Sequence, residues 1–102
     1  MLYASLWQVN KDRHSLHEAG GIAAKAFEKG VYPPKGVEII GQWVTTQGRG
    51  ITIFKAEDPV AVLEEGNVFE YEKPGFFKYQ EIFPVMNLAE GIASMLSYKK
   101  VL

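Results

Sequence analysis

From Leu2 to Val9 nearly every residue is apolar on both of the faces that alternate along a β-strand, with Leu2, Ala4 and Leu6 on one and Tyr3, Trp7 and Val9 on the other. A strand of that kind is covered on both sides, so it belongs inside a sheet with something on each face. The rest of the chain has to supply the covers. The same stretch has no basic segment before it and no small-residue cleavage site after it, and no run approaches the roughly 20 apolar residues of a membrane helix. A strand is predicted there, not a signal, and no membrane partner.

After the polar turn Asn10–Arg13, Ser15-Leu16-His17-Glu18 has the S-x-x-E form of a capping box. The helix it opens carries Leu16, Ala19, Gly20, Ala23, Ala26 and Phe27 on one narrow face of small residues and stops at Gly30. Gly20-Gly21 costs about 2 kcal/mol of helix propensity against two alanines, and close packing on a sheet is the expected return. Pro33-Pro34 makes Val31–Gly36 a loop. A second strand is predicted over Val37–Thr46 and a third over Ile51–Ala56, joined by the turn Gln47-Gly48-Arg49-Gly50. Asp58-Pro59 starts a short helix through about Glu65, with Gly66-Asn67 as its end and an irregular stretch over Val68–Gly75. Phe76–Val85 reads as a fourth strand with Phe77, Tyr79, Phe83 and Val85 on one face. Asn87 caps a last helix carrying Leu88, Ile92, Met95 and Leu96, before a tail over Tyr98–Leu102.

The order β-α-β-β-α-β-α is that of an α+β, ferredoxin-like sandwich with an extra C-terminal helix, a single domain over residues 1–102. Right-handed crossovers put strands one and three in the middle and strands two and four at the edges. Two helices cover one face of such a sheet, and the apolar groups on the other need a partner. A twofold homodimer with the sheets face to face meets that need, because one patch then complements its own copy. The alternative is a monomer whose loops and C-terminal segment fold back over the face.

Twelve acidic against eleven basic residues, a formal net charge of -1, lack the positive field by which a domain grips nucleic acid, so none is expected as a partner. Absence of cysteine removes disulfides, thiolate metal sites and cysteine nucleophiles and suits a reducing compartment, the cytoplasm. Gly48-Arg49-Gly50 lacks the strand-to-helix setting and spacing of a phosphate loop.

The strand Met1-Leu2-Tyr3 running to Trp7, the approach Pro33-Pro34-Lys35-Gly36-Val37-Glu38 to the second strand, the Gly48-Arg49-Gly50 hairpin, Asp58-Pro59 and the late Pro84-Val85 together resemble a family of short bacterial and archaeal proteins of unknown function. That family is similar to the dimeric α/β-barrel superfamily, which includes small monooxygenases of the antibiotic-biosynthesis type, muconolactone isomerase-like enzymes and haem-binding relatives. The resemblance covers most of the chain and implies a fold and a dimer. Its motifs are structural, and any reaction drawn from the fold is analogy.

His14 and His17, with Glu18, sit at the start of the first helix. Solvated surface is the simpler account of both; the functional one places a histidine at the mouth of a sheet–helix cleft as proton acceptor or haem ligand. The cluster has no recognised metal spacing, and no metal is expected. Tyr3, Trp7, Trp43, Tyr79 and Phe83 are candidates to line a cleft for a flat apolar or aromatic ligand, or else core and interface. His17, Tyr79 and Glu81 are the candidates for proton transfer, Glu81 being the acid expected to be partly buried. The expected protein is a homodimer that binds a small apolar or aromatic molecule; whether it transforms that molecule is left open by the sequence, the enzymatic form being a monooxygenase or isomerase without cofactor, and haem being the alternative cofactor. The other class is a non-catalytic structural or regulatory interaction module.

Overall fold

The computed structural model describes residues 1–101. Its elements are β1 (Leu2–Val9), α1 (Leu16–Glu28), β2 (Val37–Val44), β3 (Arg49–Ala56), α2 (Pro59–Glu72), β4 (Phe77–Pro84) and α3 (Leu88–Val101). The four strands form one antiparallel sheet in the order β2-β3-β1-β4, the ferredoxin-like arrangement, with the two most apolar strands at its centre. The helix-side face carries Tyr3, Ser5, Trp7 and Val9 of β1 and Thr52, Phe54 and Ala56 of β3; Ala19 of α1 packs in a cluster with Val9, and Ala61 of α2 in one with Phe54 and Ala56. Phe54 is the centre of one apolar cluster, packed with Ala56 and Ala61 and stacked on Tyr3 at 5.5 Å between ring centroids.

Both helix starts follow from their caps. Ser15 Oγ accepts from Glu18 N at 3.1 Å while Ser15 N donates to Glu18 Oε1 at 3.3 Å, and Asp58 Oδ1 accepts from Ala61 N at 2.9 Å. Ser15→Ala removes half of the first box and is expected to cost about 1 kcal/mol, read as a lower midpoint of urea unfolding; an unchanged midpoint refutes a stabilising role for the cap.

Helix α2 is longer than the sequence suggested, running past Gly66-Asn67 to Glu72, so most of the stretch predicted as irregular is helical. Gly66 is buried where the helix crosses β4: a Cβ there would stand 3.0 Å from Ile82 Cδ1. Its missing side chain serves a close approach, not a helix end. The true stop is Lys73, whose successor Pro74 disfavours helical backbone before it. Gly20-Gly21 differ in the opposite sense, since a Cβ at either would meet nothing within 4 Å. They do not pack closely, and Gly20 borders an open space.

Two irregularities set which side chains share a face. The β1–β4 register shifts between Gln8 and Val9, which brings Phe77 opposite Val9 and turns its ring toward the helices, while Tyr79, Glu81 and Phe83 take the opposite, outer face. The β2–β3 register shifts between Ile39 and Gly41, so Gln42 pairs with Thr52 on the helix side and Trp43 pairs with Ile51 on the outer side. The outer face therefore carries Leu6, Ile51, Ile53, Trp43, Tyr79 and Phe83. Helix α3 does not fold back over it: Leu88, Ile92, Met95 and Leu96 are all exposed. The predicted tail is helical through Val101, and Leu102 lies outside the described residues.

Candidate functional site

Between α1 and the helix-side face of the sheet lies a cavity of about 390 Å³. Its walls are mostly apolar. Small residues of α1, Ala19, Gly20 and Ala23, form one side, Trp7 of β1 forms the floor, and Phe69 and Phe76 also line it. The floor is possible because β3 offers Gly50 opposite Trp7: a Cβ at Gly50 would stand 2.1 Å from Trp7 Cζ2. The Trp7 indole therefore lies flat across β3, where its Nε1 donates to Thr52 Oγ1 at 3.1 Å.

A chain of polar groups crosses this apolar wall. Gln42 Nε2 donates to Thr52 Oγ1 at 3.2 Å and to Tyr32 Oη at 2.8 Å, and Tyr32 donates to Glu65 Oε1 at 2.8 Å. Glu65 is only 5% exposed, and its Oε2 has no hydrogen-bond partner among the described residues. Burial raises the Glu65 carboxyl from the usual 4.5 to about 7, the Tyr32 hydrogen bond opposing that rise. The Tyr32 hydroxyl is pushed well above its ordinary range, by burial first and then by the neighbouring carboxylate. Tyr32 thus keeps its proton, and Glu65 is the group that exchanges one near neutral pH.

Local structure explains both positions. Glu65 follows Ala61 by one helical turn on α2 and precedes Val68 and Phe69, so it sits in the helix's buried stripe. Tyr32 lies midway along the connection from α1 to β2 and is fixed between Phe69, at 4.9 Å, and Phe27, packed edge-on at 5.1 Å. A carboxylate in the apolar repeat of a helix continued past Gly66 is the signal that would have found Glu65. The expectation of a stop at Gly66 hid it.

The sequence candidates divide among three places. Trp7 lines the cavity, and Trp43 borders it at the β2 edge, although its ring lies over Gly41 and is 60% exposed. Tyr3 is on the helix side but stacks in the Phe54 cluster, away from the cavity. Tyr79, Glu81 and Phe83 lie on the outer face. There the Tyr79 hydroxyl donates to Glu81 Oε2, a bond that raises the tyrosine's pKa. Glu81 is exposed, not partly buried, because the strand's alternation turns it from the helices.

The histidines also separate. His17 is exposed on α1, as solvated surface requires. His14, expected at the surface too, is 4% exposed and stacks on Phe76 at 5.2 Å. It precedes the N-cap, the position from which a side chain folds under the first helical turn. Both of its ring nitrogens lack hydrogen-bond partners among the described residues. Neither histidine lines the cavity, so the described residues supply it with no imidazole for a haem iron.

No curated protein matches the chain significantly. Among solved structures, a protein of Bacteroides thetaiotaomicron VPI-5482, provisionally described as an antibiotic biosynthesis monooxygenase, is similar with a TM-score of 0.60 and 13% identity, over 86% of this chain and 89% of that one. At such identity the likeness shows a common fold. The model of a family described as a domain of unknown function, DUF3303, matches residues 1–99, and the chain belongs to that family.

Proposed function

We propose that the cavity binds a small, flat, largely apolar or aromatic molecule and that Glu65 exchanges a proton with it, without a resident cofactor. The observation that carries this reading is a buried carboxyl with one unpartnered oxygen, on a residue that lines a mostly apolar space. A carboxylate freed from water and poised near pH 7 is matched to general acid–base work at that pH. It takes a proton from an activated C–H, and the acid so formed returns one. Return at a second carbon makes an isomerase. If dioxygen instead meets the carbanion, a CH2 becomes a carbonyl and one water leaves, the outcome of a cofactor-independent monooxygenase; the provisional description of the structural neighbour agrees with this second branch. Both share the proton step. The test uses 2-tetralone in deuterium oxide: its α-hydrogens are expected to exchange faster with the protein than without it by proton NMR. No acceleration overturns the reading.

The same proposal places the protein in the cytoplasm as a homodimer paired through the outer face, leaving the cavity free on the other side. Trp43, Leu6, Ile51 and Ile53 give that face its apolar character. Trp43→Asp puts a charge where the two sheets would meet without disturbing a packed core. Sedimentation is expected to show a dimer for the wild type and a monomer with native circular dichroism for the variant. A wild-type monomer, or a variant that stays dimeric, removes this assembly. The non-catalytic alternative, an association module, rests on the same exposed face.

A further inference from the structure

The hydrogen bonds of the cavity wall leave several polar functions open, two of them at Thr52 and Glu65. Gln42 Nε2 spends both hydrogens, on Tyr32 Oη and Thr52 Oγ1. Thr52 Oγ1 accepts from Gln42 and from Trp7 Nε1, so both lone pairs are occupied and its own hydrogen is what remains. Tyr32 has given its hydrogen to Glu65 Oε1. Glu65 Oε2 remains a buried acceptor with no partner. A ligand entering this space meets the Thr52 hydroxyl and the wall that Glu65 helps to line, beside the amide groups of Gln42 and Gln80 and the Ser5 hydroxyl, in a mostly apolar surround.

Each class of ligand fares differently there. A bare hydrocarbon leaves Oε2 dehydrated and unpaired. An ether accepts from Thr52 and offers Oε2 nothing. A carboxylate or phosphate brings like charge against Glu65. A hydroxyl supplies the missing hydrogen and remains uncharged. We infer that the ligand is an uncharged planar ring compound bearing a hydroxyl group, which donates to Glu65 Oε2, and that Thr52 gives its hydrogen to an oxygen of the same molecule. This inference rests on the cavity reading above and names the ligand's chemical class. Gly20 lines the same space, and a Cβ there meets nothing within 4 Å.

The test is titration of the full chain at pH 8 with 2-naphthol, 2-methoxynaphthalene and 2-naphthoate, followed by calorimetry. 2-Naphthol has the shape of the enol of 2-tetralone. It is expected to bind about tenfold or more tightly than the methyl ether, since a site built to pair with a hydroxyl rejects analogues without its hydrogen, and the carboxylate is expected to bind least. Glu65→Gln, which keeps the side chain's shape and an acceptor for Tyr32, is expected to erase the preference for naphthol over the ether. Gly20→Leu fills the space and is expected to abolish binding of all three. Equal affinity for naphthol and its ether, or a preference that survives Glu65→Gln, overturns the hydroxyl inference and leaves the cavity reading standing. Binding undiminished in Gly20→Leu puts the probes elsewhere and overturns the inference. If none of the three binds at millimolar concentration, the cavity reading falls and this inference with it.

Discussion

Glu65→Gln is expected to slow the protein-catalysed exchange of 2-tetralone by about 10²- to 10⁴-fold, the usual contribution of a positioned general base. The amide still accepts from Tyr32, so the polar chain and the cavity keep their form while the exchangeable proton is gone. In the wild type the exchange rate is expected to rise with pH through about 7, as Glu65 loses its proton. A variant with wild-type rates assigns the chemistry to another group.

The same substitution changes the dependence of stability on pH. Glu65 holds its proton more tightly when folded, at about 7, than at the ordinary 4.5. Between these values the folded state binds more protons than the unfolded one, so stability falls as pH rises. Its contribution is fully present below 4.5 and lost by the time the pH has passed through about 7. At about 1.36 kcal/mol per pKa unit the loss is roughly 3 kcal/mol as an upper bound. Urea unfolding at pH 5 and pH 8 is expected to show this fall in the wild type and to lack it in Glu65→Gln. A fall of equal size in both assigns it to other groups.

Phe54→Ala is expected to be the most damaging single truncation, costing about 3–5 kcal/mol from the transferred ring and the void left behind. Phe54 is 0% exposed, on a central strand, with Ala56, Ala61 and the Tyr3 ring around it. Those neighbours are small or held by the sheet and cannot collapse into the gap. A domain of this length has about 5–15 kcal/mol in all, so the variant is expected to lose much of its unfolding midpoint. Tyr71→Ala is the contrast, an aromatic of comparable size that is 80% exposed on α2 and is expected to change stability by no more than about 0.5 kcal/mol. Similar midpoints for the two variants refute the assignment of the core.

The sequence by itself determined the order of elements, the bounds of β1, both capped helix starts and the central place of β1 and β3. These depend on local rules: alternation along an extended chain, a side chain that meets its own helix's free N–H groups, a proline that fixes its own backbone. Tertiary structure decided the rest. Gly66 reads alike in sequence whether it ends a helix or lets one approach Ile82, and only the position of β4 distinguishes the two. One extra residue at each of two register shifts decides whether Phe77, Gln42 and Trp43 face the helices or the outer side, because strand alternation reverses with a single insertion. Glu65, Tyr32, Gln42 and Thr52 come from four separate elements, and no spacing along the chain joins them. Their hydrogen bonds and the raised pKa of Glu65 arise from burial, which belongs to the packed assembly and not to any one segment.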